Sequence, residues 1–511
     1  MVLYVVLTAH LAAAQVPADP PASSGLYGET VEGVIPWDLD AARYDAWLED
    51  AAGRAPLGST GVRLFGVGED GVRRPLDAYL PARHPVPEKE PWAANVGAPR
   101  SAPSDLPGSA SGFLTDKAVY LSQCHGWIWY DSLGRFATQR GNNWDTVEDF
   151  HNPEGANQYL TAYLENAGAS VFTTGERDLQ TALAIADNDG SGYAESGSTF
   201  TNGLAGFAGT APFVYGEDPF DAGTTRNFVA NSGDVATWTP VVPEDGYYNV
   251  YVSWDATPDN ATDAHYRFTH PGGVIDRTFD QTVHGSTWQY AENLWLTAGT
   301  SLTVELIGDS SSSALLSADA VRIGGGLGDV QRNGVTTGRP RWEEGAILYT
   351  QYNGAPTSVY DPYGNGDGSD PTSRSVWADW EHPSGEDAVY LSWHSNASAY
   401  GTARGTVTYF AGGGSDAPGS YPAACSVSGD AVTGSYSLAS TVQQEMASSF
   451  QTLWDPAWND RGLGTACFSE VSPGSAESVF LIASGAMKSP AEIWSVVTPA
   501  HSWRVVSHLR T

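Results

Sequence analysis

The sequence predicts an α/β protein, with a mostly parallel twisted sheet flanked by helices, interrupted by an all-β sandwich domain. Residues 117–188 alternate strands with a helix, which favours a parallel sheet with a right-handed crossover. Residues 189–338 read as strands and turns only, and GYYNVYVSW (246–254) alternates as a sandwich strand does. Helix and strand patterns alternate again from residue 339 onwards, so the sandwich is predicted to be an insertion.

Two strands of the predicted sheet have the same sequence. The phrase AVYLS occupies Ala118–Ser122 and again Ala388–Ser392, and an apolar run rich in β-branched and aromatic residues predicts a buried strand. A histidine follows each copy, His125 and His394. Open α/β folds place their sites at the carboxyl ends of such strands. We therefore expect the two imidazoles to meet at one edge of the sheet.

The other elements of this domain follow from periodicity and turn signals. A helix is predicted from about Thr146 to Ala167, ended by Gly168. A second long helix is predicted over Ser437–Trp454, with Ser437 as its cap. Further strands are predicted in ASVFTT, GTVTYF, TACFSEV and SVFLIASG, and a further helical segment begins near Arg341. The α/β domain is thus assigned to residues 113–188 plus 339–511.

The N-terminal segment resembles an export signal. Residues 1–14 combine an apolar run with Ala12–Ala14, as in a signal peptide, and no later segment is apolar enough to span a bilayer. Residues 20–112 are predicted to form a small N-terminal region and linker, with one short amphipathic helix near Ala41–Ala52. We expect a secreted, monomeric protein.

The charge balance excludes two classes of partner. The chain has 59 acidic and 25 basic residues, a net charge of −34. Binding to nucleic acid depends on cations that displace counterions from phosphates, and anionic membranes need the same cations. Three cysteines permit one disulfide at most, and Cys425 with Cys467 is the favoured pair, leaving Cys124 beside His125.

The two histidines predict a metal site. Neutral imidazole is a common zinc ligand, and a hydrolytic zinc site uses three protein ligands and an open position. Glu148, at the start of the first predicted helix, is the best candidate for the third ligand, and His151, one turn later, competes with it. Glu470, predicted at a strand end, is the candidate general base. Taken singly, each of these residues is more often structural.

Together, these motifs resemble the zinc-dependent N-acetylmuramoyl-L-alanine amidases of the amidase_3 type. The matching segments are CHG (124–126), VED (147–149), HSNA (394–397), GTVTYF (405–410) and FSEV (468–471). The resemblance implies zinc bound by His125, Glu148 and His394, with Glu470 as the catalytic glutamate. It implies peptidoglycan, or another cell-wall polysaccharide, as the partner, with Asn396 of HSNA as a substrate-binding residue.

The chain departs from that family at two points. Trp127 replaces a glycine of the first histidine motif, and VSPGS follows Glu470 where the family has a different sequence. These departures leave two alternatives open, a catalytically degenerate wall- or polysaccharide-binding protein and a related zinc peptidase.

The insert resembles the golvesin C-terminal domain, which is also called the golvesin/xanthan-lyase carbohydrate-binding-like domain. DNDGSGYAESGSTF, the strands around GYYNVYVSW, and ADAVRIGG support this resemblance. It implies a β-sandwich accessory module on an exported enzyme. Some aromatic side chains could stack on sugar rings, although most are expected in the sandwich core. The candidates for stacking are Trp254, Trp288, Tyr290 and Trp295.

Overall fold

The computed structural model describes most of the chain beyond the N-terminal region. The described residues are 26–34, 47, 51, 61–67, 73–76, 112–123, 125–140, 147–209, 212–395, 405–424, 433–453, 455–471 and 477–484. The predicted signal peptide (1–14), Cys124, Cys425 and Asn396 lie outside them. Within the N-terminal region, Trp47 and Ala51 are helical, in line with the short helix expected there. Three strands, β1 (Leu26–Val34), β2 (Gly61–Val67) and β3 (Arg73–Pro75), form a small sheet.

A six-stranded sheet forms the centre of the α/β domain. Its strands are β4 (Ala118–Ser122), β7 (Ser170–Thr173), β20 (Ala388–Ser395), β21 (Gly405–Phe410), β22 (Asp460–Thr465) and β23 (Glu477–Ser484). They lie in the order β22-β21-β23-β20-β4-β7. Only the pairing of β21 with β23 is antiparallel among these described strands, so the sheet is mostly parallel as predicted.

The two AVYLS strands are direct neighbours. β4 and β20 pair in parallel and in register, with Tyr120 opposite Tyr390 and Ser122 opposite Ser392. Ala118 and Tyr120 pack in one hydrophobic cluster, and the alternate residues of β4 pack in another on the opposite face. A strand that is buried on both faces is apolar at nearly every position. This requirement explains why both strands have the sequence AVYLS.

Helices and short turns complete the domain. The α-helices of the described chain are α1 (Glu148–Gly155), α2 (Thr161–Asn166), α3 (Ala346–Tyr352), α4 (Thr357–Tyr360), α5 (Asp370–Glu381) and α6 (Ser435–Leu453). A π-helical turn, Ala156–Leu160, joins α1 to α2, and Gly168 ends the run at φ 102°. The expectation that Ser437 caps α6 was wrong, because this helix begins at Ser435 and Ser437 donates hydrogen bonds to Asp416.

The insert is a β-sandwich. Its strands are β8 (Ala184–Asp187), β9 (Tyr193–Ser196), β10 (Thr201–Gly206), β11 (Gly223–Val229), β12 (Val235–Trp238), β13 (Gly246–Val252), β14 (Ala264–His270), β15 (Gly273–Phe279), β16 (Gln289–Leu296), β17 (Thr303–Ile307), β18 (Leu315–Ala318) and β19 (Ala320–Ile323). They form sheets in the orders β15-β14-β17-β12-β9, β16-β13-β19-β8 and β10-β11-β18. Strand β8 precedes residue 189 but pairs with β19, inside the sandwich.

The sandwich and the α/β domain share one hydrophobic cluster. Tyr251 and Trp288 of the sandwich pack in it together with Tyr120 and Trp377 of the α/β domain. A buried ion pair crosses the same boundary, since Arg322 Nη1 donates to Glu176 Oε2 at 2.6 Å and neither side chain is exposed. The insert is therefore packed firmly against the sheet that it interrupts.

Two further findings concern the chain as a whole. Cys467 is disulfide-bonded, and its partner lies outside the described residues, so the pairing with Cys425 stays a prediction. None of the helices in the described ranges combines the length and the apolar character needed to cross a bilayer.

Candidate metal centre

Three side chains from separate elements converge at the carboxyl edge of β4 and β20. One potential ligand atom from each of His125, Glu148 and His394 lies within 4.8 Å of the others, and all three residues are buried. His125 is the third residue after the end of β4, whereas His394 lies inside β20, near its end. Glu148 is the first residue of α1. The register of the twin strands thus brings together residues that are 269 positions apart.

Glu148 is held by polar contacts on both of its oxygens. Its Oε1 accepts a hydrogen bond from the backbone N–H of Ser395 at 3.0 Å and lies 3.3 Å from His394 Nδ1. Its Oε2 lies 3.4 Å from Nε of Arg140. These contacts orient the carboxylate toward the two imidazoles.

His125 carries the clearest sign of a missing partner. Its Nδ1 lies 3.2 Å from Gln139 Oε1 and 3.2 Å from Nη2 of Arg374. Its Nε2 is buried and has no hydrogen-bond partner among the described residues. Burial, together with the nearby charges of Arg374 and His394, holds the pKa of His125 well below its usual range. A neutral imidazole with an unused ring nitrogen fits a metal ligand, and two histidines with one carboxylate form a donor set typical of catalytic zinc.

Glu470 lies beside this group of ligands. Its Oε1 is 3.9 Å from His394 Nε2 and 3.5 Å from Nη1 of Arg374. The expected location at a strand end was wrong, because Glu470 belongs to a 3₁₀ turn, Ser469–Val471. That turn is tied to α5, since the hydroxyls of Ser469 and Thr372 lie 2.9 Å apart.

The sequence reasoning missed a buried arginine and its acidic partner. Arg374 and Asp370 are both fully buried and form an ion pair one turn apart on α5. Asp370 also accepts a hydrogen bond from Gln139 Nε2 at 2.7 Å, which links the pair to His125. The i, i+4 spacing of an acid and an arginine was a visible signal, but it is more often a solvated helix pair.

His151, the competing ligand, lies outside the cluster. Its Nδ1 is 3.0 Å from the carbonyl oxygen of Val147, and its Nε2 is 3.1 Å from the hydroxyl of Ser395. Burial lowers its pKa as well. His151 therefore supports the segment that holds Glu148, and it is not among the converging atoms. Asn396 lies outside the described residues.

Trp127, where the chain departs from the amidase pattern, fills a structural position. Its Nε1 donates to Glu343 at 3.2 Å, and the Arg339 guanidinium lies 4.9 Å from its ring centroid. The preceding residue must be glycine here, because a Cβ at Gly126 would lie 2.4 Å from the carbonyl carbon of Glu344. Trp127 begins β5 (Trp127–Tyr130), which pairs with β6 (Arg135–Thr138) in a hairpin outside the main sheet.

The aromatic candidates in the insert divide into core and surface residues. Trp254 and Trp288 are buried in the hydrophobic clusters and cannot stack on a ligand, which corrects that expectation. Tyr290 packs under the Arg177 guanidinium, 3.6 Å from its ring centroid. Trp295 is 45% exposed and forms an edge-to-face pair with Tyr247, 39% exposed on the adjacent strand, at 5.0 Å.

Comparison with known families identifies the insert. Residues 215–325 match the model of the golvesin C-terminal domain, as predicted. Comparison with curated proteins finds no match. The matched residues contain strands β11 to β19 of the sandwich.

Several solved structures are similar to parts of the chain. A xanthan lyase from Paenibacillus is 26% identical over 28% of this chain and 13% of its own length, with a TM-score of 0.24. A family 35 carbohydrate-binding module from Clostridium thermocellum is 18% identical over 27% of this chain and 97% of its own, with a TM-score of 0.20. The catalytic domain of CwlV, an N-acetylmuramoyl-L-alanine amidase from Bacillus (Paenibacillus) polymyxa var. colistinus, is 18% identical over 24% of this chain and 52% of its own, with a TM-score of 0.15. Every TM-score is below 0.5, so these likenesses carry no argument, and the firm finding is that residues 215–325 match the golvesin C-terminal domain.

Proposed function

We propose that this protein is an exported, monomeric, zinc-dependent peptidoglycan hydrolase that cleaves the amide between N-acetylmuramic acid and L-alanine. The observation that carries the proposal is the convergence of His125, Glu148 and His394, with Nε2 of His125 buried and without a hydrogen-bond partner among the described residues. A cation between these residues would pair with the Glu148 carboxylate and would use the ring nitrogen of His125 that has no other partner among the described residues. The motifs around these residues support the amidase class among zinc hydrolases.

The residues of the site divide the chemistry between them. Zinc, when bound, would polarise the scissile carbonyl and lower the pKa of a water molecule to about 7. Glu470 accepts the proton of the attacking water and returns it to the leaving amine. Its carboxylate oxygen Oε1 lies 3.9 Å from Nε2 of His394, beside the proposed ligands.

Arg374 and Gln139 position these groups. The guanidinium of Arg374 contacts Glu470 and His125, and its pairing with Asp370 fixes the arginine in place. Nδ1 of His125 faces both Gln139 Oε1 and Arg374 Nη2, and in the tautomer that donates to Gln139 the Nε2 of the ring is available as a ligand.

The insert would hold the polysaccharide. Tyr247 and Trp295 form an exposed aromatic pair on neighbouring strands, and the Asn293 side chain, on the same strand as Trp295, donates to Asn249 Oδ1 at 2.7 Å. Aromatic rings beside amide groups suit the apolar faces and hydroxyls of sugars. The predicted signal peptide supports action outside the cell.

The direct test is digestion of purified muropeptides by the full-length protein, with and without a chelator. We expect release of the peptide from N-acetylmuramic acid, loss of activity with the chelator, and recovery with zinc. Glu470→Gln should lower the rate about 100- to 10,000-fold while zinc remains bound. Glu154→Gln, on the exposed part of α1, is the matched control and should have wild-type activity. Full activity of Glu470→Gln would exclude this residue as the base.

A second function is favoured by one observation, the exposed Tyr247–Trp295 pair on the insert. A non-catalytic polysaccharide-binding protein would retain sugar binding through this pair but contain no zinc and release no peptide. A related zinc peptidase would contain zinc but cleave other peptide amides in the same digests.

A further inference from the structure

A cavity of about 320 Å³ lies between the insert and the α/β domain. This volume is at the small end of the range for small-molecule sites. Its walls come from the β5–β6 hairpin, helix α3, the loop after α4, and two segments of the insert. The lining residues that matter here are Trp129, Asp131, Tyr215, Arg332, Asp361 and Asp367.

Arg332 carries a positive charge in the wall of this cavity. The residue is 8% exposed, and its Nη1 donates to Gln351 Oε1 and to the Gln331 carbonyl, both at 3.0 Å. Its Nη2 is buried without a hydrogen-bond partner, and the guanidinium forms no ion pair with any residue that the structure describes. A buried guanidinium that lacks a carboxylate is costly, so an anionic ligand group would be favoured here.

Tyr215 covers Arg332 on the side of the cavity. The guanidinium carbon lies 5.0 Å from the centroid of the Tyr215 ring. The ring is 44% exposed, and its hydroxyl donates to Asp361 Oδ2 at 2.9 Å. Binding of a ligand carboxylate to Nη2 would require this ring to turn aside and would break its hydrogen bond to Asp361.

The cavity also carries negative charge. Asp131 and Asp367 line it, and neither has an ion-pair partner among the described residues. Asp131 accepts a hydrogen bond from Trp129 Nε1 at 2.8 Å, which fixes the direction of its carboxylate. Asp361 is already used, because it accepts bonds from Tyr215, Ser369 and backbone N–H groups of its own loop. Asp131 and Asp367 therefore suit a cationic group of the ligand, next to the anionic group that would pair with Arg332.

The cavity is within reach of the metal centre. Trp129 lies four residues after His125, so their Cα atoms are at most about 14 Å apart. On another wall, Asp367 lies three residues before Asp370, which pairs with Arg374 in the metal centre. A peptide of three residues spans at most about 11 Å. The separation of the cavity and the metal centre is thus comparable to the length of a short peptide with its side chains.

We propose that this cavity binds the zwitterionic end of a diamino acid in the peptide part of the substrate. The carboxylate pairs with Arg332, and the ammonium group lies between Asp131 and Asp367. This inference rests on the proposed function, because it places the peptide stem of the same substrate. An acidic sugar fits less well, because it offers no cationic group to Asp131 and Asp367.

The test measures binding by calorimetry to the full-length protein, in which no bond needs to be cleaved. The probe is L-alanyl-γ-D-glutamyl-meso-diaminopimelate. One matched peptide carries L-lysine in the third position, which removes the distal carboxylate. A second has the distal amine acetylated, which removes the ammonium group. We expect each matched peptide to bind about 10- to 100-fold more weakly than the probe.

Variants assign the effect to the cavity. Arg332→Gln should abolish the preference for the diaminopimelate peptide over the lysine peptide, and Asp131→Asn should reduce the preference over the acetylated peptide. Arg267→Gln, on an exposed strand of the insert, is the control and should keep both preferences. Because Arg332→Gln could unfold the interface, its thermal unfolding is measured alongside, and Asp131→Asn, on an exposed turn, gives an independent answer.

The outcomes separate this inference from the proposed function. Equal affinity for all three peptides would overturn the inference, even if the protein hydrolyses muropeptides. Selective binding without hydrolysis would support the inference and contradict the proposed function. Binding of N-acetylmuramic acid in place of the peptides, lost in Arg332→Gln, would overturn the inference in favour of an acidic sugar.

Discussion

The α/β domain and the inserted sandwich differ in how they bury polar and aromatic side chains. In the sandwich and at its boundary, two buried arginines face carboxylates, in Arg277–Glu292 and Arg322–Glu176, and most large aromatic rings of the sandwich pack in its core. In the α/β domain, the imidazoles of His125 and His394 converge with the carboxylate of Glu148. The first arrangement stabilises a fold. The second leaves a buried ring nitrogen of His125 without a hydrogen-bond partner among the described residues, and we propose that it marks the site.

The largest effect expected from this difference is the loss of metal. His394→Ala removes one of three converging ligands, so the protein should lose bound zinc and its hydrolysis rate should fall at least about 1,000-fold. Metal content is measured by elemental analysis of the purified protein. His151→Ala is the matched control, since His151 contacts Ser395 and not the cluster, and it should keep zinc. Loss of zinc in His151→Ala, with zinc retained in His394→Ala, would instead identify His151 as the ligand.

The second effect concerns the buried ion pair between the two domains. Glu176→Gln leaves Arg322 charged and unpaired in a fully buried place, so the free energy of unfolding should fall by about 3–5 kcal/mol. Denaturant unfolding followed by fluorescence measures this. Asp387→Asn removes the partner of Lys117 in an exposed pair and should cost less than about 1 kcal/mol. If Glu176→Gln and Asp387→Asn lowered the free energy of unfolding equally, water would have to reach the Arg322–Glu176 pair at the domain boundary.

The third effect is a pH dependence of stability at the same boundary. Burial opposes the protonation of His284, but hydrogen bonds and charges from Glu381 and Glu386 outweigh it and raise its pKa to about 9. A pKa raised from 6.5 stabilises the fold fully below pH 6.5, and this stabilisation is lost as the pH rises through 9. The difference of 2.5 units corresponds to about 3 kcal/mol.

The measurement for His284 is the free energy of unfolding from pH 6 to pH 10. His284→Gln should flatten the decline above pH 6.5. His270→Gln, a histidine of the sandwich whose pKa is lowered by burial, is the control and should leave the decline unchanged. A decline that persists in His284→Gln would assign it to other groups.

The smallest effect separates exposed from buried tryptophans. Trp295→Ala should change the free energy of unfolding by less than about 1 kcal/mol but weaken retention on insoluble peptidoglycan about 5- to 10-fold. Trp254→Ala should instead cost about 3–5 kcal/mol of stability. Trp380→Ala, an equally exposed tryptophan of the α/β domain, is the control for retention. Loss of retention in Trp380→Ala alone would move the binding surface away from the insert.

Much of the fold was readable because burial on both faces produces a distinct pattern. The two AVYLS segments predicted two strands of one sheet, which the structure shows to be direct neighbours, and the alternation of GYYNVYVSW predicted a sandwich strand. The convergence of His125 with His394 followed from the parallel register. The exposure of individual aromatic residues did not follow from the sequence, because the buried Trp254, two residues after the end of β13, and the exposed Trp295, in β16, are distinguished only by the packing around them.

The environment of the site was less predictable. Arg374 and Asp370 lie on a helix whose sequence gives no sign that both side chains are buried. Glu470 was expected at a strand end, and it lies on a turn held by α5. Such positions depend on contacts between segments that are about 100 or more residues apart, and periodicity within one segment carries no information about them.

The measurement that tests the central claim most directly is X-ray absorption at the zinc edge on the purified full-length protein. The account predicts one zinc ion per chain, with two imidazole nitrogens at about 2.0–2.1 Å and a carboxylate oxygen at about 2.0–2.2 Å. The nitrogen signal should be halved in His394→Ala if any zinc remains. An absence of zinc after reconstitution, or a coordination shell dominated by sulfur, would contradict it.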